Sequence, residues 1–463
     1  MKYNIDMKFN QMIENEQATA IFDACLPGVR AKIEGVASTG GLALRSIIKY
    51  MQLPGGDTLA QQLEAGLQKL NTPENRISPG EAKQMAQFRQ MEQVRRQKAA
   101  AKAEAPATHD QDAIYPGQVW LDTAGERIQA HGAAMYREGD IYCWYGENKE
   151  YTDGKNGIWT WGIRLYTSKD LYNWTDCGLM IPPVLDDPES GLFPTKRLDR
   201  PHILKCEKTG KYVCWIKLSG AEAAFVILQA DAFAGPYTLI KDMYRPEGVP
   251  AGDFDLVQDE ESGEAYLYYD AGHSALVGMV LAEDYLSAET TVSRQYENLN
   301  PPFTREGPAA FAVNGKKYLF TSGMTGYVPN RSDCAISEGW RTPFTSLGNP
   351  HRQDTSGASF NSQISKVFKV GEAGPWIAMA DRWVPEYLMD SQKSDLFTRT
   401  IASHYAPEQY TATQAEQEIM QAAPSLETAN TAIADYVWLP VSFDETGRLQ
   451  LIWQEKWRVD GAQ

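Results

Sequence analysis

The chain has 463 residues, of which 43% are hydrophobic and 11% aromatic, so it is long enough to bury a large core. Its 60 acidic and 44 basic residues give a net charge of −16, which disfavours nucleic acid and anionic membranes and favours a neutral ligand. The 6 cysteines form no Cys-x-x-Cys pair and no zinc spacing, so we predict buried thiols, a reducing compartment and no metal ligands among them.

The N-terminus shows no sign of a secretion signal. The run Met1-Lys-Tyr-Asn-Ile-Asp-Met7 lacks an apolar core, and no apolar run approaches membrane-spanning length. We therefore expect a cytoplasmic protein without a membrane partner.

Residues 1–100 are predicted to form a helical accessory domain. Apolar side chains recur with helical spacing over residues 9–26, 42–51 and 59–70. Ser78-Pro79-Gly80-Glu81 is a capping box that opens a further helix, to about Ala103. No catalytic constellation appears here, so we expect a packing role or a homo-oligomer contact. Residues 101–113 are short-side-chained and polar, which predicts a linker to a domain over 114–463.

One short phrase, a glycine followed by an aromatic-rich apolar run, occurs five times in the second domain. Successive glycines lie 52 to 71 residues apart, the length of one four-stranded blade with its loops. A repeat of this length is typical of an all-β propeller or another array. The glycines are Gly139, Gly210, Gly263, Gly315 and Gly374.

A polar residue precedes each of these glycines by 8 to 11 positions: His131, Asp199, Asp253, Glu306 and Gln363. Equivalent positions on the innermost strands of a propeller converge on one pocket, so we predict an acid/base site built from three carboxylates. Glu306 is the expected acid, because burial beside other carboxylates raises the pKa of a carboxyl group.

Residues 391–434 interrupt the strand pattern. This stretch is rich in Ala, Gln, Glu and Thr and is predicted to be a helical insertion. It is either a lid over the pocket or an oligomer contact, and the sequence does not separate the two.

An ordered set of motifs resembles glycoside hydrolase family 43, and within it the exo-β-1,3-galactanase group. The resemblance covers residues 115–460 and implies a five-bladed propeller that acts as an inverting exo-glycosidase on a neutral, β-linked, galactose-like oligosaccharide, with β-1,3 as the candidate linkage. The motifs are Gln129-Ala-His131-Gly132, Tyr142-Cys-Trp-Tyr-Gly-Glu147, Tyr166-Thr-Ser-Lys-Asp-Leu-Tyr-Asn-Trp174, Asp199-Arg-Pro-His-Ile203, Asp253-Phe-Asp-Leu-Val257, Glu306-Gly-Pro-Ala-Ala-Phe311, Thr321-Ser-Gly-Met-Thr-Gly326, Phe360-Asn-Ser-Gln363, Asp381-Arg-Trp383 and Tyr436-Val-Trp-Leu-Pro440.

The resemblance also implies roles for single residues. Glu306 matches the general acid, and Asp199 matches an acid of the second blade where the galactanase group usually has glutamate. The first-blade aspartate that acts as base in most of the family is absent, and Gln363 matches the glutamine proposed to act as an imidic-acid base in the galactanase group.

Further site positions follow from the same comparison. Glu147, Asp253 and Thr325 match sugar-contacting positions, with Asp253 or Glu147 as alternatives for orienting the water. Trp383 is a stacking candidate, and Arg200 and Arg382 are expected to fix the carboxylates by bidentate pairing. His131 is expected to line the substrate channel as a bonded core histidine and not as a metal ligand.

No cofactor is expected, although a structural cation such as calcium on the propeller axis, which some family members hold, stays open. Three rival functions also remain. One is another family 43 activity, such as arabinofuranosidase or xylosidase. The second is phosphorolysis, which needs a cluster of cationic side chains beside the acid. The third is a non-catalytic glycan-binding protein, which the missing first-blade aspartate supports.

Overall fold

The computed structural model describes residues 3–34, 40–51, 55–72, 77–103 and 107–461. The chain divides into two compact units. The first comprises residues 1–101 with 184–193, and the second comprises residues 102–183 with 194–463. None of the helices in the described residues is long and apolar enough to cross a membrane.

The first unit is helical. Its core contains Tyr3, Phe9, Phe22, Leu63 and Leu67, which are the periodic apolar positions and their neighbours. The reciprocal capping bonds of Ser78 and Glu81 start the last helix where the sequence predicts it. The helices are α1 Phe9–Ile13, α2 Glu16–Cys25, α3 Val29–Ile33, α4 Leu44–Tyr50, α5 Gly56–Gln68 and α6 Pro79–Ala103.

Residues of the predicted linker over 101–113 bond to neighbouring residues of the second unit. Helix α6 continues to Ala103, and Lys102 pairs with both Asp122 and Asp176, at 2.5 and 3.0 Å. Residues 104–106 of the predicted linker lie outside the described residues. Beyond them the Thr108 N–H donates to the Thr123 carbonyl at 2.8 Å.

The second unit is a five-bladed β-propeller, as predicted. The first four blades are antiparallel four-stranded sheets, each continuous in sequence, and the last has six strands. The strands of the first two blades are β1 His131–Glu138, β2 Ile141–Glu147, β3 Ile163–Ser168, β4 Thr175–Ile181, β5 Leu198–Cys206, β6 Lys211–Leu218, β7 Ala224–Ala230 and β8 Thr238–Tyr244. Those of the third and fourth are β9 Ala251–Gln258, β10 Ala265–Ala271, β11 Ala275–Leu281, β12 Ala288–Gln295, β13 Arg305–Val313, β14 Lys316–Gly323, β15 Asp333–Ser337 and β16 Thr345–Gly348. The fifth blade contains β17 His351–Arg352, β18 Gln363–Lys369, β19 Trp376–Arg382, β20 Asp435–Tyr436, β21 Leu439–Phe443 and β22 Leu449–Ile452.

The ring is closed. The innermost strands β1, β5, β9, β13 and β18 contact one another in that order, and β18 contacts β1 again. An antiparallel bridge between Ile114 and Trp457 ties the chain before the first blade to the chain after the last. Four repeated glycines have positive φ, from +63° at Gly139 to +77° at Gly315, in hairpins that join the inner strand to the next one. Glycine adopts this conformation without steric cost, which explains the repeated phrase.

Each innermost strand has a bulge near the predicted pocket residues. The pairing register shifts between His131 and Ala134, Asp199 and His202, Ala251 and Phe254, Glu306 and Ala309, and Ile364 and Lys366. In three blades the residue after the polar side chain has positive φ: +52° at Gly132, +50° at Arg200 and +59° at Gly307. Such bulges re-aim side chains, here toward one end of the ring.

Two helices interrupt the fifth blade between β19 and β20, as the sequence predicts. They are α7 Ser391–Tyr405 and α8 Gln414–Gln421. Asp390 caps α7 by accepting from the Lys393 N–H, and Thr413 with Glu416 forms a capping box for α8. We call residues 391–434 the helical insertion.

Candidate active site

A cavity of about 1070 Å³ lies where the bulged ends of the inner strands meet. Its inner part contains four carboxylates, and its outer part is formed by blade loops and by the helical insertion. The carboxylates are Glu147, Asp199, Asp253 and Glu306. Concave sites with a few converging polar groups are the usual places for substrates. The predicted convergence of Asp199, Asp253, Glu306 and Gln363 on one pocket is therefore present.

Glu306 is held as an acid. Burial and the nearby negative charge of Asp253 raise the pKa of the Glu306 carboxyl to about 8, although the Lys217 ammonium opposes the shift. A carboxyl group with this pKa is protonated at neutral pH and can give its proton to a leaving oxygen.

Gln363 lies beside Glu306. Its amide nitrogen donates to Ser322 Oγ at 2.8 Å and to Glu306 Oε1 at 3.3 Å, while its amide oxygen accepts from Trp383 Nε1 at 3.1 Å. The indole N–H only donates, so it fixes the oxygen of Gln363 as its acceptor and turns the nitrogen toward Glu306. An inverting pair also keeps about 6.5–9.5 Å between its groups for the water. The imidic-acid base role expected for Gln363 does not fit this geometry, which instead makes it a positioning partner of the acid.

Asp253 is held as a carboxylate by two cations. Arg200 Nε lies 3.0 Å from one oxygen, and Lys217 Nζ contacts the other. These charges keep the pKa of Asp253 well below its ordinary value in spite of its burial. The predicted pairing of Arg200 with a site carboxylate exists, but through one nitrogen and not as a bidentate fork. Arg200 Nη1 is buried and has no protein partner.

Glu147 supplies the first blade with the carboxylate that its inner strand lacks. It is the register partner of His131 on β2, and its Oε1 accepts from the Arg200 N–H at 2.8 Å. A Cβ at position 132 would lie 2.2 Å from that oxygen, so Glu147 passes through the space that Gly132 leaves open. Lys149 Nζ lies 2.8 Å from the other oxygen. Burial raises the pKa of Glu147, and the ammonium of Lys149 opposes the rise.

Asp199 shares Lys149 with Glu147. Its Oδ1 accepts from Trp159 Nε1 at 2.6 Å and lies 3.6 Å from Lys149 Nζ, and its Oδ2 accepts from Ser219. Lys149 is fully buried and thus bridges the carboxylates of the first and second blades.

Aromatic side chains line one wall. Trp159 stacks on Tyr327 with ring centroids 6.0 Å apart, and Tyr327 lies 5.2 Å from Trp383. All three line the cavity, as Thr325 does. Thr325 Oγ1 already donates to the Val328 carbonyl and accepts from Asn330, so it orders this loop as well as facing the cavity.

Two expected contacts with the substrate or the carboxylates are wrong. His131 is fully buried, with Nδ1 3.0 Å from Asp381 and its ring stacked on Tyr436, and it lies outside the cavity lining. Burial lowers the pKa of this imidazole, which fits a neutral core histidine. Arg382 donates to the Gly117 and Phe360 carbonyls at 3.3 and 2.9 Å and pairs with no carboxylate of the site. His131 and Arg382 therefore hold together the structure around the cavity and do not contact its contents.

The axis of the ring does not fit a divalent cation. Lys366 Nζ lies 2.5 Å from Asp255 Oδ1 and 2.8 Å from the Leu256 carbonyl, and His202 Nδ1 lies 3.1 Å from the same Asp255 oxygen. An ammonium already neutralises the carboxylate that such an ion would need, and the two positive charges would repel. Within the described residues, no group of three or more His, Cys, Asp or Glu side chains is arranged for a metal ion.

The helical insertion forms part of the cavity wall. Thr400, Ile401 and Tyr405 of α7 and Gln417 and Met420 of α8 line it. Of the two roles that the sequence leaves open, this placement is the one expected of a lid.

The counterions Lys149 and Lys217 were not predicted from the sequence. Lys149 follows Glu147 by two positions, and Lys217 is the register partner of Asp199 on β6. Since residues two apart on an extended chain share a face, the first could have been found by pattern. The second requires the strand register.

Comparison with known proteins identifies the family. Residues 130–363 match the family described as Glycosyl hydrolases family 43. The chain belongs to glycoside hydrolase family 43. It is therefore a glycoside hydrolase with the catalytic fold of that family. No curated protein matches the chain.

Solved structures of family 43 proteins share its fold. A β-1,3-galactosidase is 26% identical with a TM-score of 0.61, and the match covers 76% of this chain and 65% of that one. A second β-1,3-galactosidase, solved with galactodeoxynojirimycin, is 24% identical with a TM-score of 0.59, and the match covers 74% of this chain and 100% of that one. An exo-β-1,3-galactanase from Phanerochaete chrysosporium, solved with galactose, is 22% identical with a TM-score of 0.59, over 76% of this chain and 70% of that one. The chain thus spans just under two thirds of the first of these relatives.

Proposed function

We propose that the protein is an inverting exo-glycosidase that releases terminal galactose from short β-linked oligosaccharides, with β-1,3 as the preferred linkage. The observation that carries the proposal is the raised pKa of Glu306 beside an ionised Asp253 in one cavity. Two carboxyl groups whose environments separate their pKa values are the mark of acid/base catalysis. Glu306 gives a proton to the glycosidic oxygen as the bond to the leaving sugar breaks.

For the attacking water, the site offers the pair Glu147 and Asp199. Lys149 bridges them, 2.8 Å from one and 3.6 Å from the other. We propose that Asp199 is the member of this pair that accepts the proton of the water, because burial raises the pKa of Glu147 to about 8 and a carboxyl group with that pKa is protonated at neutral pH. Gln363 positions Glu306 and does not activate the water, because its amide nitrogen bonds to the Glu306 carboxyl group and its oxygen to the Trp383 indole.

The galactose preference rests on resemblance. The relative at 26% identity is a β-1,3-galactosidase. Arg200 and the aromatic wall line the cavity and supply N–H donors and an apolar face, which is what a neutral sugar ring requires.

Phosphorolysis is disfavoured by the pairing of the cations in the cavity. Lys217 and Arg200 pair with Asp253, and Arg197 pairs with Glu427 at 3.0 Å. A phosphate would have to displace these carboxylates. Turnover that is independent of phosphate concentration is the expected result.

The test is a hydrolysis assay with NMR detection of the newly released sugar. β-1,3-galactobiose and aryl β-galactosides are expected to yield α-galactose first, with mutarotation following. Release of β-galactose, or the absence of turnover on galactosides, arabinofuranosides and xylosides alike, overturns the proposal. Turnover of an arabinofuranoside or xyloside alone would assign one of the other family activities.

A further inference from the structure

We propose that the helical insertion forms the binding site for the leaving group, and that this site takes a second neutral sugar. This inference rests on the proposed function. It concerns the part of the cavity wall that the insertion forms.

The chemistry of the wall changes along the cavity. All four carboxylates of the lining lie on the strands of the blades, whereas the described lining residues of the insertion include no acid. The insertion instead offers the polar side chains of Gln417, Gln421, Ser403 and His404, with the ring of Tyr405 and the apolar side chain of Leu426. Tyr405 and Leu426 remain 54% and 40% exposed. Thr400 is 3% exposed, and its hydroxyl has no hydrogen-bond partner.

This combination fits a neutral sugar ring. A sugar presents an apolar C–H face, which packs on aromatic and aliphatic side chains, and a rim of hydroxyls, which bond to amides and hydroxyls. The side chains of this wall that can bond to such hydroxyls are those of Gln417, Gln421, Ser403 and His404.

The insertion lies beside the blade that carries the general acid Glu306. Leu426 packs beside Gly326, where an added Cβ would lie 3.5 Å from its side chain. Gly326 belongs to the loop that follows β14 in the blade that carries Glu306. Since the general acid protonates the leaving oxygen, the leaving sugar must be bound next to the blade of that acid.

The wall is formed before any ligand arrives. Ser394 Oγ donates to the Gly357 carbonyl at 2.8 Å, and Phe397 packs in an apolar cluster with Val328 and Met389. At the far end, Glu427 pairs with Arg197 before the second blade. Fixing a binding surface at both ends lowers the entropy that a ligand must overcome.

The experiment compares two substrates that share the galactosyl group. β-1,3-galactobiose fills the leaving-group site, whereas β-galactosyl fluoride has a single atom there. The double variant Gln417→Ala with Gln421→Ala is expected to lower kcat/KM for the disaccharide by about 5–30-fold, as the loss of two hydrogen bonds predicts. Hydrolysis of the fluoride should stay within about twofold of the unchanged enzyme.

Ile419→Ala is the matched control, because Ile419 lies on the same helix, is 46% exposed and does not line the cavity. It should leave both substrates unaffected, and melting curves should show that all variants are folded. A double variant that hydrolyses the disaccharide at the normal rate, or that loses both substrates equally, overturns the leaving-group site. Failure of the unchanged protein to hydrolyse either substrate would instead overturn the proposed function.

Discussion

Gln363 Nε2 lies 3.3 Å from Glu306 Oε1, although the two residues are 57 positions apart and in different blades. The closed ring brings them together. The contact also limits what Gln363 can do, because a side chain 3.3 Å from the acid leaves no room for the water that an inverting pair holds between its two groups.

Replacing Glu306 should separate leaving-group protonation from the rest of catalysis. Glu306→Gln is expected to lower kcat for β-1,3-galactobiose by about 10²–10⁴-fold, the usual contribution of a general acid. Turnover of β-galactosyl fluoride should fall much less, since fluoride leaves without protonation. The control is Glu338→Gln, an exposed carboxylate that pairs with Lys316. Equal losses on both substrates would contradict the acid role.

Replacing Gln363 tests whether it positions the acid or activates the water. Gln363→Ala should reduce disaccharide hydrolysis and spare the fluoride, because its contacts are with Glu306 and Ser322. Trp383→Phe, which removes the indole donor, should give the same pattern at about a tenth of the effect or less. A loss on the fluoride as large as that on the disaccharide would restore Gln363 as the base.

The Lys149-bridged carboxylates should show the opposite pattern. Asp199→Asn is expected to lower turnover of both substrates by about 10²-fold or more, because the water needs a proton acceptor whatever the leaving group. Glu147→Gln, which changes only the partner of Asp199 across Lys149, should lower both by a smaller factor. Melting curves would show whether the buried Lys149 still tolerates the changed partner. Normal hydrolysis of the fluoride by Asp199→Asn would exclude Asp199 as the base.

The pH profile should lose activity on the alkaline side near pH 8. The pKa of Glu306 is raised to about 8, so the required proton is present below that pH and is lost above it. Asp253 raises this pKa and Lys217 lowers it. Asp253→Asn should therefore move the alkaline limb to lower pH, and Lys217→Met should move it to higher pH. Shifts in the same direction would contradict the assignment of the limb to Glu306.

We expect the Lys366 ammonium to neutralise Asp255, so that no metal ion is needed on the axis of the ring. Activity and melting temperature are expected to be unchanged by a chelator. Lys366→Met leaves the fully buried Asp255 without its ammonium partner and should lower the free energy of unfolding by about 3–5 kcal/mol. Lys369→Met, on the exposed end of the same strand, is the control. A chelator that lowers the melting temperature of the unchanged protein would show that an ion is bound after all.

The repeated glycine phrase predicts the ring and the convergence of its acids, because hairpin turns and inner strands have local signatures. The helix started by Ser78 and the insertion after Asp390 are also visible in the sequence, since both depend on caps and composition. Residues 184–193 join the helical unit, which no local pattern indicates.

The contacts that the sequence does not predict depend on strand register and on the space between neighbouring strands. Glu147 reaches the cavity only because position 132 has no side chain. Lys217 meets Asp253 through the pairing of β6 with β5 and the closure of the ring. The orientation of Gln363 depends on a tryptophan 20 positions away. Distances of this kind cannot be obtained from the order of residues.

The kinks at Gly132, Arg200 and Gly307 share nearly the same φ, between +50° and +59°. Three blades thus share the same backbone kink. The residue immediately before the kink is a histidine in the first blade, an aspartate in the second and a glutamate in the fourth. Two of the three kinks use glycine, and the arginine at the third is in a conformation that costs a side-chain-bearing residue roughly 1 kcal/mol. Its contacts with Glu147 and Asp253 offset that strain. An ancestral duplication would account for this, with the kink inherited by each copy and the side chain before it free to diversify.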